Sequence, residues 1–257
     1  MLTAMPSGTK GVSIAVLATV VLTAAACGGS AKKAAPAPSP MSSASGSVAS
    51  SPAAADTAAA SRLSKLLLTD ADDAGYTYDA SQDGTGVTST QDVVTTGGSV
   101  CQSFVDAQEA LSTKYGTTAE VDRRLTKPND AHTIQSSAMA FPSADKAAAM
   151  IADLTAGVKG CKSLSLTQGG TTLSMQPSAI PELTKAGQVG YIDYLTAGGS
   201  TELMAADLVQ VGTTVSVVAI DGPLTNDPAA LQQMGGTQLA HLSDVQVGRL
   251  KSAQGPS

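Results

Sequence analysis

Beyond residue 60 the chain switches repeatedly between two spacings of apolar residues, one every third or fourth position and one every second. "SRLSKLLL", residues 61–68, places Leu63, Leu66 and Leu67 on one face of a short helix. The turn "TDADDAG" ends it and "YTYD" opens a strand. From Ser99 to Tyr115, the positions Val100, Phe104, Ala107, Leu111 and Tyr115 keep helical spacing, with Ser99 as the cap and Gln102 three residues on. Two strand patterns follow, "AEVDRRLT" and "HTIQSSAMAF". Ser143 then caps a helix whose stripe is Ala147, Met150, Ile151, Leu154 and Val158, stopped by Gly157 and Gly160.

The rest is mostly strand. "SLSLTQ-GG-TTLSMQ" reads as a hairpin about a two-residue Gly-Gly turn, where both positions accept positive φ. "GYIDYLTAGGSTELMAADLVQVGTTVSVVAI" reads as three more strands, turning at Gly198-Gly199 and at Gly212. "TNDP" caps a last segment with Pro228 in its first turn. Gly235-Gly236 breaks that segment, leaving a helix with Leu239, Leu242, Val245 and Leu250. Hairpins dominate this order, so the expected fold is α+β: one domain, residues 61–251, with a largely antiparallel sheet packed by helices on one face, and a short tail at 252–257.

The first sixty residues obey neither spacing. Met1 to Gly11 carries Lys10, and Val12 to Ala26 is an uncharged, mostly apolar run of fifteen. A spanning helix needs roughly 20 apolar residues, so this run suits a signal peptide better than an anchor. From Gly28 to Ala60, 27 of 33 residues are Ala, Ser, Pro or Gly, too little apolar surface to offset the entropy of ordering. A coil of that length spans about 30 Å.

At the junction stands "LTAAAC", residues 22–27. It resembles the lipobox of bacterial lipoproteins, with Ala24 where that pattern prefers Leu. The resemblance implies cleavage after residue 26, acylation of Cys27, and a lipid-held N-terminus on the outer face of the cell membrane, with 27–60 as tether. Two or more acyl chains, at about 0.8 kcal/mol per buried CH₂, make such an anchor stable. Lys32 and Lys33 follow closely enough to sit on anionic headgroups.

Composition narrows the ligands. The chain has no Trp, two Phe and five Tyr, little with which to stack bases or sugar rings. From Ser61 onward 12 Lys and Arg face 20 Asp and Glu, a net charge of about −8 that repels phosphate backbones and excludes nucleic acid.

With Cys27 assigned to lipid, Cys101 and Cys161 remain. An exported chain with two cysteines reads as one disulfide; a catalytic thiol at Cys101, on a helix start, is the alternative. Cysteines without a CxxC and two distant histidines make a poor zinc set.

No catalytic set, metal site or cofactor fingerprint assembles. Ser99 and Ser200 follow Gly-Gly without a GxSxG elbow, and only His132 and His241 could serve a hydrolase. "DADD" (Asp70, Asp72, Asp73) lacks the later ligands of a calcium loop and reads as a solvated turn. "DGTGVTS" lacks the third Gly of a dinucleotide loop. Arg123 and Arg124, adjacent on a strand, point to opposite sides and form no joint anion clamp. Asp193 and Asp207 fall within apolar strand runs. They either face solvent from a one-sided sheet or line a cleft with Tyr191 or Tyr194, where burial would raise the carboxyl pKa.

Three stretches in order, "LSKLLLTDADDAGY", "AMAFPSADKAAAMIADLTAGVKGC" and "LMAADLVQVGTTVSVVAI", resemble the PknH-like extracellular sensor domain of mycobacterial receptor kinases and actinobacterial lipoproteins. The resemblance covers about Ser61 to Lys251. It implies a mixed α+β domain with a cleft that senses or binds an extracellular ligand. Members commonly carry two disulfides and a Trp ahead of the Cys that ends the middle helix; this chain has one Cys pair and Val158-Lys159-Gly160-Cys161 there. The expected function is therefore a non-catalytic envelope lipoprotein that binds a small molecule, a wall polymer or a protein. The alternatives are a secreted hydrolase with an unrecognised Ser/His site and a structural wall-associated lipoprotein.

Overall fold

The computed structural model describes residues 56–87, 92–168, 171–223 and 233–255. The chain divides into two units, Met1–Ser51 and Pro52–Ser257, and all described residues belong to the second. The signal peptide, Cys27 and nearly all of the tether lie outside the described residues.

Nine strands form one sheet: β1 Gly84–Gly86, β2 Val94–Thr96, β3 Ala119–Thr126, β4 Thr133–Ala140, β5 Leu164–Gln168, β6 Thr171–Ala179, β7 Gln188–Ala197, β8 Ser200–Val211 and β9 Thr214–Pro223. Their order is β1-β3-β4-β9-β8-β7-β6-β5-β2, and every pairing is antiparallel. The α+β class is as the sequence reads. The hairpins turn where glycine supplies positive φ, at Gly198 (56°), Gly199 (87°) and Gly212 (57°). β5 and β6 pair through Gln168 and Thr171, as the Gly-Gly reading requires. Gly169-Gly170 and the "TNDP" cap lie outside the described residues.

Among the described residues four helices pack on this sheet: α1 Thr57–Leu63, α2 Gly98–Glu109, α3 Ala144–Gly160 and α4 Leu239–Gln254. They do not share one face, which corrects the sequence reading. On β8, Leu203, Ala205, Asp207 and Val211 point to one side, where α1 and α4 lie; Ser243 of α4 bonds Asp207 at 2.5 Å. Met204, Ala206, Leu208 and Gln210 point to the other side. There Ala206 pairs with Tyr191, and Tyr191 meets Phe104 of α2 edge-on, ring centroids 5.6 Å apart. A nine-strand sheet with both faces apolar must be covered twice.

Two boundaries also shift. Helix α1 starts at Thr57, inside the stretch read as tether, because Asp56 accepts the Ala59 amide at 2.9 Å and Ala59 and Ala60 are buried. Helix α4 runs to Gln254, past Lys251. Ser99 does not cap α2: the chain enters through Gly97 and Gly98, both at positive φ, and the helix begins at Gly98. Gln102 instead accepts the Val94 amide at 2.9 Å and donates to Asp106 at 2.8 Å, tying α2 to β2. After Glu109 the winding widens into a π turn over Leu111–Tyr115 that still buries Leu111 and Tyr115. The Gly235-Gly236 break is another such turn, Gln233–Gln238, running into α4.

Ser143 caps α3 as expected, and its stripe is buried throughout. Helices α2 and α3 touch backbone to side chain at Gly157, where a Cβ would fall 2.6 Å from Phe104 Cβ and 2.8 Å from its Cα. Gly157→Ala must therefore part the helices. It is expected to cost about 2 kcal/mol of stability in urea unfolding, as overpacked cores do. Wild-type stability in that variant would show that the helices separate freely.

The N-terminal segment is clipped to the sheet by buried polar groups. Gln246 of α4 donates to Ser137 O at 2.8 Å and Ser216 Oγ at 3.0 Å and accepts from Ser136, whose own oxygen takes the Leu68 amide. Arg123 is buried: its guanidinium grips Asp83 through Nε (3.0 Å) and Nη2 (2.6 Å), donates to Leu68 O, and lies 4.0 Å from the Tyr78 ring centre. Arg124 points to the opposite face, toward Asp221 at 3.9 Å. Of the "DADD" turn, Asp72 is no solvated group: it holds the Thr69 amide at 2.7 Å and Arg249 at 2.6 Å, and these partners keep its carboxyl below the usual range despite burial. The disulfide joins Cys101, in the first turn of α2, to Cys161, directly after α3.

Candidate functional site

Three distant segments converge at the β3–β4 end of the sheet. The hairpin loop "KPNDAH", residues 127–132, turns through Asn129 at φ 59°, with the Asp130 amide donating to Lys127 O at 3.1 Å. This lets Asp130 fold onto its own neighbour: Oδ1 accepts the His132 amide at 3.0 Å and pairs with His132 Nδ1 at 2.8 Å. The imidazole lies flat over Gly222 of β9, where a Cβ would fall 2.3 Å from its Cδ2. The "DADDAG" turn brings Asp73 and Tyr76, and the π turn ahead of α4 brings Met234 and Gln238. Gln238 Nε2 donates to Asp73 Oδ2 at 2.5 Å, closing the ring of segments.

Together these residues surround a cavity of about 450 Å³, within the range of small-ligand sites. Its floor is the buried Tyr76 ring, with Met234 beside it. The Tyr76 hydroxyl leans toward Asp130 Oδ2 at 3.5 Å, and burial, then the charges of Asp130 and Asp73, push its pKa up to about 12. Asp130 is held below the usual carboxylate range, first by the His132 amide and then by its imidazole. A carboxylate only accepts, so Nδ1–H of the imidazole donates to Asp130. Among the described residues no Ser, Thr or Cys lines this cavity, so the His132–Asp130 pair meets no described hydroxyl or thiol of the hydrolase kind. A second, more open hollow of about 610 Å³ runs along α3, where Ala148, Ile151 and Ala152 face Gly187 and Gln210. Thr155, Lys159, Thr184 and Lys185 also line it, and among the described residues its lining has no carboxylate.

The residues that the sequence singled out go elsewhere. Tyr191 and Asp193 are two apart on β7 and point to the α2–α3 side, whereas Tyr194 and Asp207 belong to the α1–α4 side. They do not form one site. Nor does either Asp face solvent: Asp193 is 0% and Asp207 1% exposed, since both faces of the sheet are covered. Asp207 is fully engaged, taking Gln188 Nε2 (2.9 Å) and Ser243 Oγ (2.5 Å), and burial raises its pKa. Tyr191 donates to Gln108 at 2.9 Å. Asp193 Oδ1 accepts the Gln176 amide at 2.8 Å, while Oδ2 has no hydrogen-bond partner; burial lifts its pKa to about 7. His241 lies on α4, three residues beyond Gln238, and is not part of the lining. Among the described residues no group of three or more His, Cys, Asp or Glu is placed to hold a metal.

An antiparallel sheet sandwiched between helices, with one bridge between α2 and the end of α3 and a polar cavity at a sheet end, defines a single α+β domain. The family comparison is specific: residues 58–249 match the PknH-like extracellular domain, and the chain belongs to that family. Among solved structures, the extracellular domain of PknH from Mycobacterium tuberculosis shares the fold, at 19% identity and a TM-score of 0.55, over 75% of this chain and 96% of that one. An uncharacterised Mycobacterium smegmatis protein aligns over 75% and 97% of the two chains at 11% identity, with a TM-score of only 0.37. No curated protein matches significantly. The family places the domain outside the cytoplasm. Among the described residues no helix is long and apolar enough to cross a membrane.

Proposed function

We propose that the protein is a cell-envelope lipoprotein, anchored through Cys27, whose extracellular domain binds a ligand without transforming it. The carrying observation is the 450 Å³ cavity in which Asp73, Tyr76, Lys127, Asn129, Asp130 and His132 converge. Convergent polar groups over an aromatic floor are what a recognition site needs. The family is a sensor-type extracellular domain of receptor kinases, and a lipid tether would present it at the same surface.

Native mass spectrometry on protein released gently from its host membrane tests the pocket. Wild type should retain a ligand mass that Lys127→Ala loses. Equal spectra from the two proteins count against the site. The anchor has its own test. Cys27→Ser should move the protein from the membrane fraction to the medium or leave the leader uncleaved, and wild type should carry a mass increment of acyl chains on residue 27. An unmodified thiol there would remove the tether.

A hydrolytic reading has one observation in its favour, the 2.8 Å contact of His132 and Asp130. If it held, His132→Ala would abolish activity in a hydrolase screen that the wild type passes.

A further inference from the structure

Resting on the reading of this pocket as the ligand site, we propose that it takes a small zwitterion bearing a primary ammonium and a carboxylate, an amino acid or short peptide. Asp130 is occupied by His132 on one oxygen and approached by the Tyr76 hydroxyl on the other. Among the described residues two opposite charges, Lys127 and Asp73, are left without an ion pair, Lys127 acting on Asp130 only at a distance. Lys127 forms no ion pair within 4 Å among the described residues, yet it is not a loose surface chain. Its stem lies against Gly75, where a Cβ would come within 3.0 Å of Cε at a φ of 84°, and its Nζ is 5.6 Å from the centre of the Tyr76 ring. The missing Cβ of Gly75 is what lets the ammonium settle there. Asp73 engages Gln238 through Oδ2, and its Oδ1 has no hydrogen bond among the described residues.

Lys127 and Asp73 thus line one cavity without pairing with each other. A singly charged ligand would satisfy one of them and meet an unanswered charge at the other. A ligand carrying both signs satisfies both, with the Asn129 amide beside Lys127 as a further donor to a carboxylate. The lining sets two carboxylates against one lysine, which disfavours a plain anion.

The test uses alanyl-alanine, its N-acetyl form and its C-terminal amide as probes in titration calorimetry, with folding of each variant checked by circular dichroism. On wild type, each cap should weaken binding at least tenfold. Lys127→Ala should become indifferent to amidation while still rejecting the acetyl form; Asp73→Asn should do the reverse, since its amide oxygen can still hold Gln238. Capped and free peptides binding alike would overturn the zwitterion. If no peptide binds, but wild type and not Lys127→Ala retains a co-purified mass, the ligand class falls and the pocket stands. If neither is seen, both fall.

Discussion

Replacing Cys101 and Cys161 together by alanine is expected to lower the stability of the domain by about 4 kcal/mol. The bridge spans 60 residues of sequence, and tying such a loop removes that much denatured-state freedom in the chain-entropy account. Against a total stability of about 5–15 kcal/mol this is a large fraction. For a domain of this size it corresponds to a fall in Tm of about 8–16 °C. The native contacts point the same way. Both sulfurs are buried, and the bridge closes the far end of the α2–α3 pair whose close approach is set at Gly157 and Phe104. Gly97 lies against it so tightly that a Cβ would fall 2.7 Å from Cys101 Sγ and 2.8 Å from Ser163 O. Paired urea melts of wild type with and without dithiothreitol, and of the double variant, measure the effect. Coincident midpoints for all three would mean that the bridge contributes no stability.

Much of this fold can be read from local spacing, because each hairpin carries its own instructions. Glycines at positive φ mark the turns of β7–β8–β9, and the period-2 strands between them have only one way to fold back. The α3 stripe is equally legible, since one face of a 17-residue helix must be apolar to dock. The two-sided cover of the sheet was written less plainly. On β8 the run Leu203-Met204-Ala205-Ala206-Asp207-Leu208 does not alternate, and a strand apolar at consecutive positions is buried on both faces. Reading Asp193 and Asp207 as solvent-facing ignored that signal. The pocket was not legible at all. Its walls come from residues 73–76, 127–132 and 234–238, which meet only through tertiary packing, and no one segment has a motif. The sole local hint is "PND", a turn sequence in which the Asp can bond the backbone two residues on, as Asp130 does with His132.

Asp193→Asn is expected to change how stability depends on pH, and the sign follows from the buried carboxyl. Pro177 of β6 and Met204 of β8 stand opposite Asp193, with Tyr191 and Leu195 two residues away on its own strand. No cation is among them. Burial is the largest influence and raises the pKa from 3.8 to about 7, while the amides of Gln176 and Tyr194 pull it partway back. In the unfolded chain the carboxyl titrates near its ordinary value, so between about pH 4 and 7 the folded state holds a proton that the unfolded state has released. Stability contributed by the neutral acid is therefore full below pH 4 and lost as pH rises through 7, a span worth about 4 kcal/mol at 1.36 kcal/mol per pKa unit. Glu109, lifted to about 7 by burial and the charge of Asp92, adds a decline of the same sign. Asp72, Asp130 and Asp153, held low by their partners, act oppositely and lose their contribution as pH falls below 4. Wild type should accordingly be most stable on the acid side of neutrality, near pH 5. Asparagine cannot ionise, can still accept the Gln176 amide, and leaves the two N–H donors of its amide buried and unpaired where Oδ2 now stands. The variant should be the less stable protein at pH 4 and the more stable at pH 8, its curve crossing that of wild type in between. Urea unfolding at half-unit steps from pH 4 to 8 would show the crossing, and parallel curves would mean that Asp193 is ionised in the folded protein across the whole range.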